Sequence, residues 1–198
     1  MIDIIRYCFY AITQRVLVST KRNYENSASS EIQYTLCEKL KIDESKVSVK
    51  NTRISGLITV KIDKNEDLID IMRRIIALES DENYFMHCLK IRPVENIMKF
   101  NLENLDDHFK KNKISIDGSY KITVNKRHNP IRSMEIISMI AKHFKENKVD
   151  LNSPDFEIVF EIVADKVGYS IIEPKYVYST ILSTSINEQK EDYNWFLE

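Results

Sequence analysis

The spacing of apolar and polar residues changes several times along the chain, and each change marks an element. In Arg15 to Thr20, RVLVST, β-branched residues cluster as in a short strand. Ala28, Ile32, Leu36 and Leu40 then recur every fourth residue. That spacing puts one apolar stripe on a helix, with Asn23 placed to cap it. KVSVKN and GLITVKI have the pattern of two strands joined at residues 52–56. Leu68, Met72, Ile75 and Ile76 mark a second helix carrying Arg73 and Arg74 on its other side, and FMHCLKIR supplies a further strand. The order strand, helix, strand, strand, helix, strand is that of the ferredoxin-like βαββαβ arrangement.

Beyond Pro93 the pattern changes. NLENLDDHFKKN spaces Leu102, Leu105 and Phe109 as in a helix, and in SYKITVNK Tyr120, Ile122 and Val124 alternate with polar residues as in a half-buried strand. Asn129 followed by Pro130 predicts an N-cap and a first helical position. Ile131, Met134, Ile137, Ala141 and Phe144 give that helix an apolar stripe ending near Asn147. FEIVFEIVADKVGYSII predicts two strands around an Asp165-Lys166 turn, with Phe156, Ile158, Phe160 and Ile162 on one face, and VYSTILSTS a last strand. The whole is an α+β chain with a ferredoxin-like domain over 1–92, a second α/β domain over 93–186, and a polar tail over 187–198 that holds Trp195.

Composition narrows the function classes. A hydrophobic fraction of 43% with 30% charged residues is that of a globular protein, and 3 Gly and 4 Pro leave little room for disordered linkers. Cys8, Cys37 and Cys88 lack the close spacing of zinc ligands and fit reduced core residues of a cytoplasmic protein. Asp3, Arg6 and Arg15 interrupt the apolar N-terminus, so neither a signal peptide nor a membrane span of roughly 20 apolar residues is expected. The chain has no P-loop, glycine-rich dinucleotide turn or Gly-x-Ser-x-Gly elbow, and its four histidines lack metal-motif spacing. A non-catalytic binding protein without cofactor or metal is the expectation.

The formal net charge of -1 conceals an asymmetry. Residues 110–148 hold ten Lys or Arg against three acids, a balance of +7, and residues 149–198 hold three Lys against ten acids, a balance of -7. The basic half is centred on Lys126, Arg127 and His128, where a strand is expected to give way to a helix. Unpaired amides and partial positive charge at such a junction suit phosphate, Lys and Arg add charge-assisted contacts, and Arg132 follows in the first turn. Lys121 and Lys142 are weaker candidates. From charge and spacing alone, the same cluster also fits a solvated strand end.

The stretches YKITVNKRHNPIRSMEIISMIAKHF and VDLNSPDFEIVFEIVADKVGYSII resemble the core of the THUMP domain. The resemblance runs over about residues 95–185 and rests on Lys126, Arg127, His128, Val149, Asp150, Leu151, Pro154, Asp155 and Gly168. It implies a THUMP α/β domain after an N-terminal ferredoxin-like domain, and a surface that binds the acceptor stem and 3′-CCA end of tRNA. A chain of this build is most similar to the adaptor that partners an RNA acetyltransferase forming N4-acetylcytidine in the D-arm, the chemistry residing in the partner. On that footing Lys126, Arg127, His128 and Arg132 would contact phosphates, and Lys21 and Arg22 would extend the footprint into the first domain. Asp150, Pro154 and Asp155 are expected to define turns. Two alternatives stay open: a tRNA-binding subunit for a thiolation or methylation enzyme, and a protein-interaction module using the acidic C-terminal stretch.

Overall fold

The computed structural model describes residues 14–78 and 84–180. In chain order the elements are β1 (Gln14–Ser19), α1 (Glu25–Tyr34), β2 (Val47–Asn51), β3 (Leu57–Ile62), α2 (Leu68–Ala77), β4 (Lys90–Val94), β5 (Asn96–Lys99), α3 (Leu102–Asn112), β6 (Tyr120–Arg127), α4 (Ser133–Ala141), β7 (Phe156–Val163), β8 (Lys166–Ile172) and β9 (Tyr178–Ser179). Two sheets result, ordered β2-β3-β1-β4-β9 and β5-β8-β7-β6. The fold is α+β and the chain divides into two compact units.

The first unit holds, among the described residues, 16–62, 69–78, 84–92 and 177–180. Its strand order 2-3-1-4 is the ferredoxin-like one, and β9 adds a strand beyond β4. The apolar stripe of α1 is buried as its spacing requires, with Ala28, Ile32 and Leu36 fully covered and Leu40 5% exposed. Past Tyr34 the helix widens into a π-turn, Thr35–Lys39, where the Thr35 hydroxyl donates to the Glu31 carbonyl. Asn23 does not cap α1: it takes φ 68, Tyr24 holds the cap position without a side-chain bond, and Glu25 instead accepts from the Gly56 amide. The strand expected from Phe85 begins only at Lys90. The amides of Met86, His87 and Cys88 all donate to the Glu31 carboxylate at 2.7, 3.0 and 2.8 Å, and three successive amides turned to one acceptor cannot alternate as a strand's do. Cys88 is buried and Cys37 half-buried, both as free thiols, and burial pushes the Cys88 thiol far up. Cys8, Trp195 and most of the predicted last strand lie outside the described residues.

The second unit holds, among the described residues, 14–15, 63–68 and 93–176. Strand β6 is the sheet edge, paired in parallel to β7, and β8 joins β7 and β5 in antiparallel register. One sheet face carries the core: Tyr120, Ile158, Phe160, Ile162, Val167 and Tyr169 pack with Leu105, Phe109, Ile136, Ile140 and Phe144 of the α3 and α4 segments. The histidines at this layer are engaged in structural bonds. His108 Nε2 meets the Tyr169 hydroxyl at 2.7 Å, and His143 Nε2 meets Asp106 Oδ1 at 2.7 Å.

Two expectations for this unit need correction. Helix α4 starts at Ser133, and its buried stripe is Ile136, Ile140 and Phe144, while Met134 is 64% exposed. Asn129 is the reason: its Oδ1 accepts from the Ile131 amide and its Nδ2 donates to the Ala164 carbonyl, so it closes a turn instead of capping a helix. Gly168 lies inside β8, where a Cβ would stand 2.5 Å from Val94 Cγ1 and 3.5 Å from the Asn96 carbonyl oxygen. Its missing side chain is what lets the neighbouring chain approach.

Candidate functional site

Strand β6 ends at Arg127, so the alternation of its side chains stops there and the next residues are free to turn. His128 takes the left-handed conformation, φ 55, and Ala164 in the β7–β8 turn does the same, φ 53. The two turns are tied together. The Ala164 amide donates to the Arg127 carbonyl at 2.9 Å, and Asn129 Nδ2 to the Ala164 carbonyl at 2.8 Å. Lys126 Nζ donates to the Ile131 carbonyl at 2.6 Å, closing the loop toward α4. Non-glycine residues at positive φ cost about 1 kcal/mol each, so the conformation is held by these ties.

Register then places residues that the sequence keeps far apart. Arg127 pairs with Val163, Val163 with Lys166, and Lys166 with Lys99. Directly paired residues share a face, so Arg127, Lys166 and Lys99 form a row across the end of the sheet, on the face opposite the helical layer. At roughly 4.8 Å per strand the row spans about 14 Å. No ion pair among the described residues engages Lys99, Arg132 or Lys166. The nearby acids are Asp165, in the turn, Glu135, in the first turn of α4, and Glu161, two residues before Val163 on the same face of β7, whose carboxylate accepts from the Asn125 side chain.

The opposite end of the same sheet is built differently. Asp117, Pro154, Asp155, Phe156, Glu173, Pro174 and Lys175 line a shallow depression there. Its cations are matched by acids: Lys175 pairs with Glu173 at 2.6 Å and Lys148 with Asp150 at 3.9 Å. Asp155 accepts from the Ser119 hydroxyl and amide, both at 2.7 Å, and Asp150 from the amides of Ser153 and Asn152. These bonds hold both carboxyls below their usual range and give both residues the turn-forming role expected of them. The two ends therefore differ: at the Arg127 end Lys99, Arg132 and Lys166 have no ion pair among the described residues, whereas at the other end Lys148 and Lys175 are paired with acids.

Of the residues singled out in sequence, Lys126, Arg127, His128 and Arg132 come together at the basic end. Lys121 and Lys142 do not. Lys121 lies six residues back along β6, about 20 Å away, and pairs with Glu157 at 3.6 Å. Lys142 follows α4, about 15 Å along the helix from Arg132. Lys21 and Arg22 are exposed in the first unit, just past β1. Lys99 and Lys166 escaped the sequence reading, since each is a single lysine in a short strand and only the register of β5 on β8 brings them together. Among the described residues no cluster of three His, Cys, Asp or Glu could hold a metal, and no helix is long and apolar enough to cross a membrane.

Residues 95–171, which lie within the second unit, match the family model of the THUMP domain. The match includes every residue of the basic end. Among solved structures the chain is similar to TrmN from Thermus thermophilus, at 10% identity and a TM-score of 0.54, covering 80% of this chain and 45% of that one. It is also similar to PH1313 from Pyrococcus horikoshii Ot3, at 16% identity and a TM-score of 0.52, covering 81% and 55%. A 4-thiouridine synthetase, in a complex with RNA and bound ATP, matches at 18% identity and a TM-score of 0.48, covering 81% and 42%. The chain thus spans about half the length of the solved structures it matches. No curated protein matches it.

Proposed function

We propose that this chain, whose residues 95–171 match the THUMP domain, is a tRNA-binding protein of the cytoplasm that receives the acceptor stem and 3′-CCA end on the basic end of the second unit. The observation that carries this reading is the row of Arg127, Lys166 and Lys99 beside Lys126, His128 and Arg132, while at the opposite end of the sheet Lys148 and Lys175 are paired with acids. A phosphate backbone is the ligand that rewards basic side chains spread over about 14 Å, since each contact releases a condensed counterion. The left-handed His128 turn fixes where the loop cations stand. Rigid placement lowers the cost of ordering them on binding.

On this reading the chain is non-catalytic and acts by geometry: it fixes the acceptor end, and a separate enzyme reaches a nucleotide at a set distance. The resemblance to stand-alone THUMP adaptors favours an RNA acetyltransferase forming N4-acetylcytidine in the D-arm. The test has two parts. Binding of full-length tRNA should fall log-linearly with salt, and flat salt dependence rejects a phosphate site. The chain, tagged and purified from its own cells, should carry an acetyltransferase, and its deletion should remove N4-acetylcytidine from tRNA. Capture of a thiolation or methylation enzyme in its place, with the acetylated base intact, would overturn the acetyltransferase assignment and leave the tRNA site standing.

A further inference from the structure

Tyr24 and His87 in the first unit lie ring on ring, with centroids 5.4 Å apart and planes 22° from parallel. Tyr24 is 46% exposed, and Met86 beside His87 is 76% exposed. Both rings are fixed from behind. The Tyr24 amide donates to the Lys21 carbonyl and the Tyr24 carbonyl accepts from the Ala28 amide, while Glu31 holds the amides of Met86, His87 and Cys88. Lys21 and Arg22 are exposed in the same turn. The two carboxylates nearest in the helix are already committed, Glu25 to the Gly56 amide and Glu31 to the three loop amides, so neither is available to the two cations.

We infer that Tyr24 and His87 form a stacking platform for an unpaired base of RNA, with Lys21 and Arg22 meeting the adjoining phosphates. A half-exposed ring pair takes a third aromatic plane, and a nucleotide supplies that plane together with an anion for the neighbouring cations. An apolar peptide would use the rings and gain nothing from the charges. This inference rests on the RNA-binding reading above and adds single-strand recognition in a part of the chain outside the THUMP match.

The test uses the full chain and two labelled RNA hairpins, one with a single-stranded 3′ tail and one blunt. Tyr24→Leu, which keeps the apolar bulk and removes the π face, should weaken binding of the tailed hairpin about ten-fold and leave the blunt one unchanged. Tyr24→Phe should bind like the parent. His87→Leu, on the other ring, is the second variant should Tyr24→Leu unfold, and it should show the same selective loss. If both folded leucine variants bind the tailed hairpin as the parent does, while Arg127→Ala still weakens it, the platform is wrong and the THUMP site stands. If the unmodified chain binds neither hairpin, both readings fall together.

Discussion

Lys99 and Lys166 face each other directly across β5 and β8, an arrangement that costs stability unless an anion occupies it. Two ammonium groups about 6 Å apart in water repel by about 0.7 kcal/mol, and physiological salt screens this to roughly 0.3 kcal/mol. Lys166→Ala should therefore stabilise the free protein slightly, by about 0.3 kcal/mol, or leave it unchanged. The same change removes one phosphate contact. The slope of log K against log salt should become shallower by about 0.7 to 0.9, which corresponds to roughly five- to eight-fold weaker binding at 0.1 M salt. Lys99→Ala should behave alike, and the double variant should lose about twice the slope. Urea unfolding and fluorescence-detected tRNA titrations over a salt series read the two effects. A Lys166→Ala protein that is clearly less stable and binds with an unchanged slope would falsify the assignment of the row to phosphate.

Three further outcomes follow from the geometry. His128→Gly and Ala164→Gly each relieve a positive φ, so both should be neutral to about 1 kcal/mol more stable, yet only His128→Gly should weaken tRNA binding; equal binding losses would show that the turn alone matters. Gly168→Ala forces a methyl against Val94 and should cost about 1–3 kcal/mol in chemical denaturation, and a neutral result would mean that β8 can shift away. Asp155 is held low by the Ser119 hydroxyl and amide, so its contribution is complete above the ordinary carboxylate value of about 3.9 and is lost as pH falls through the depressed folded value. Ser119→Ala should shrink that acid loss, and an unchanged acid limb argues against the pairing.

Local pattern was enough to find β6, α3, the α1 stripe and the β7–β8 hairpin, because each buries one face at its own period. It failed where a side chain had two possible uses. Asn129 has the chemistry of a cap, and only the Ala164 carbonyl brought in from the next hairpin selects the turn instead. Met86 to Cys88 look like strand residues until Glu31, 55 residues earlier, takes their amides. The basic loop was legible as charge on a strand end. Its continuation through Lys166 to Lys99 was not, because strands 67 residues apart in sequence carry no local record of their pairing register.

The central claim is best tested by titrating the purified chain with full-length tRNA and with the same tRNA lacking its terminal CCA, at several salt concentrations, beside the Arg127→Ala variant. Acceptor-end recognition predicts that trimming the CCA and removing Arg127 each weaken binding, with a shallower salt slope for the variant. Equal affinity for both RNAs and no effect of Arg127→Ala would contradict it.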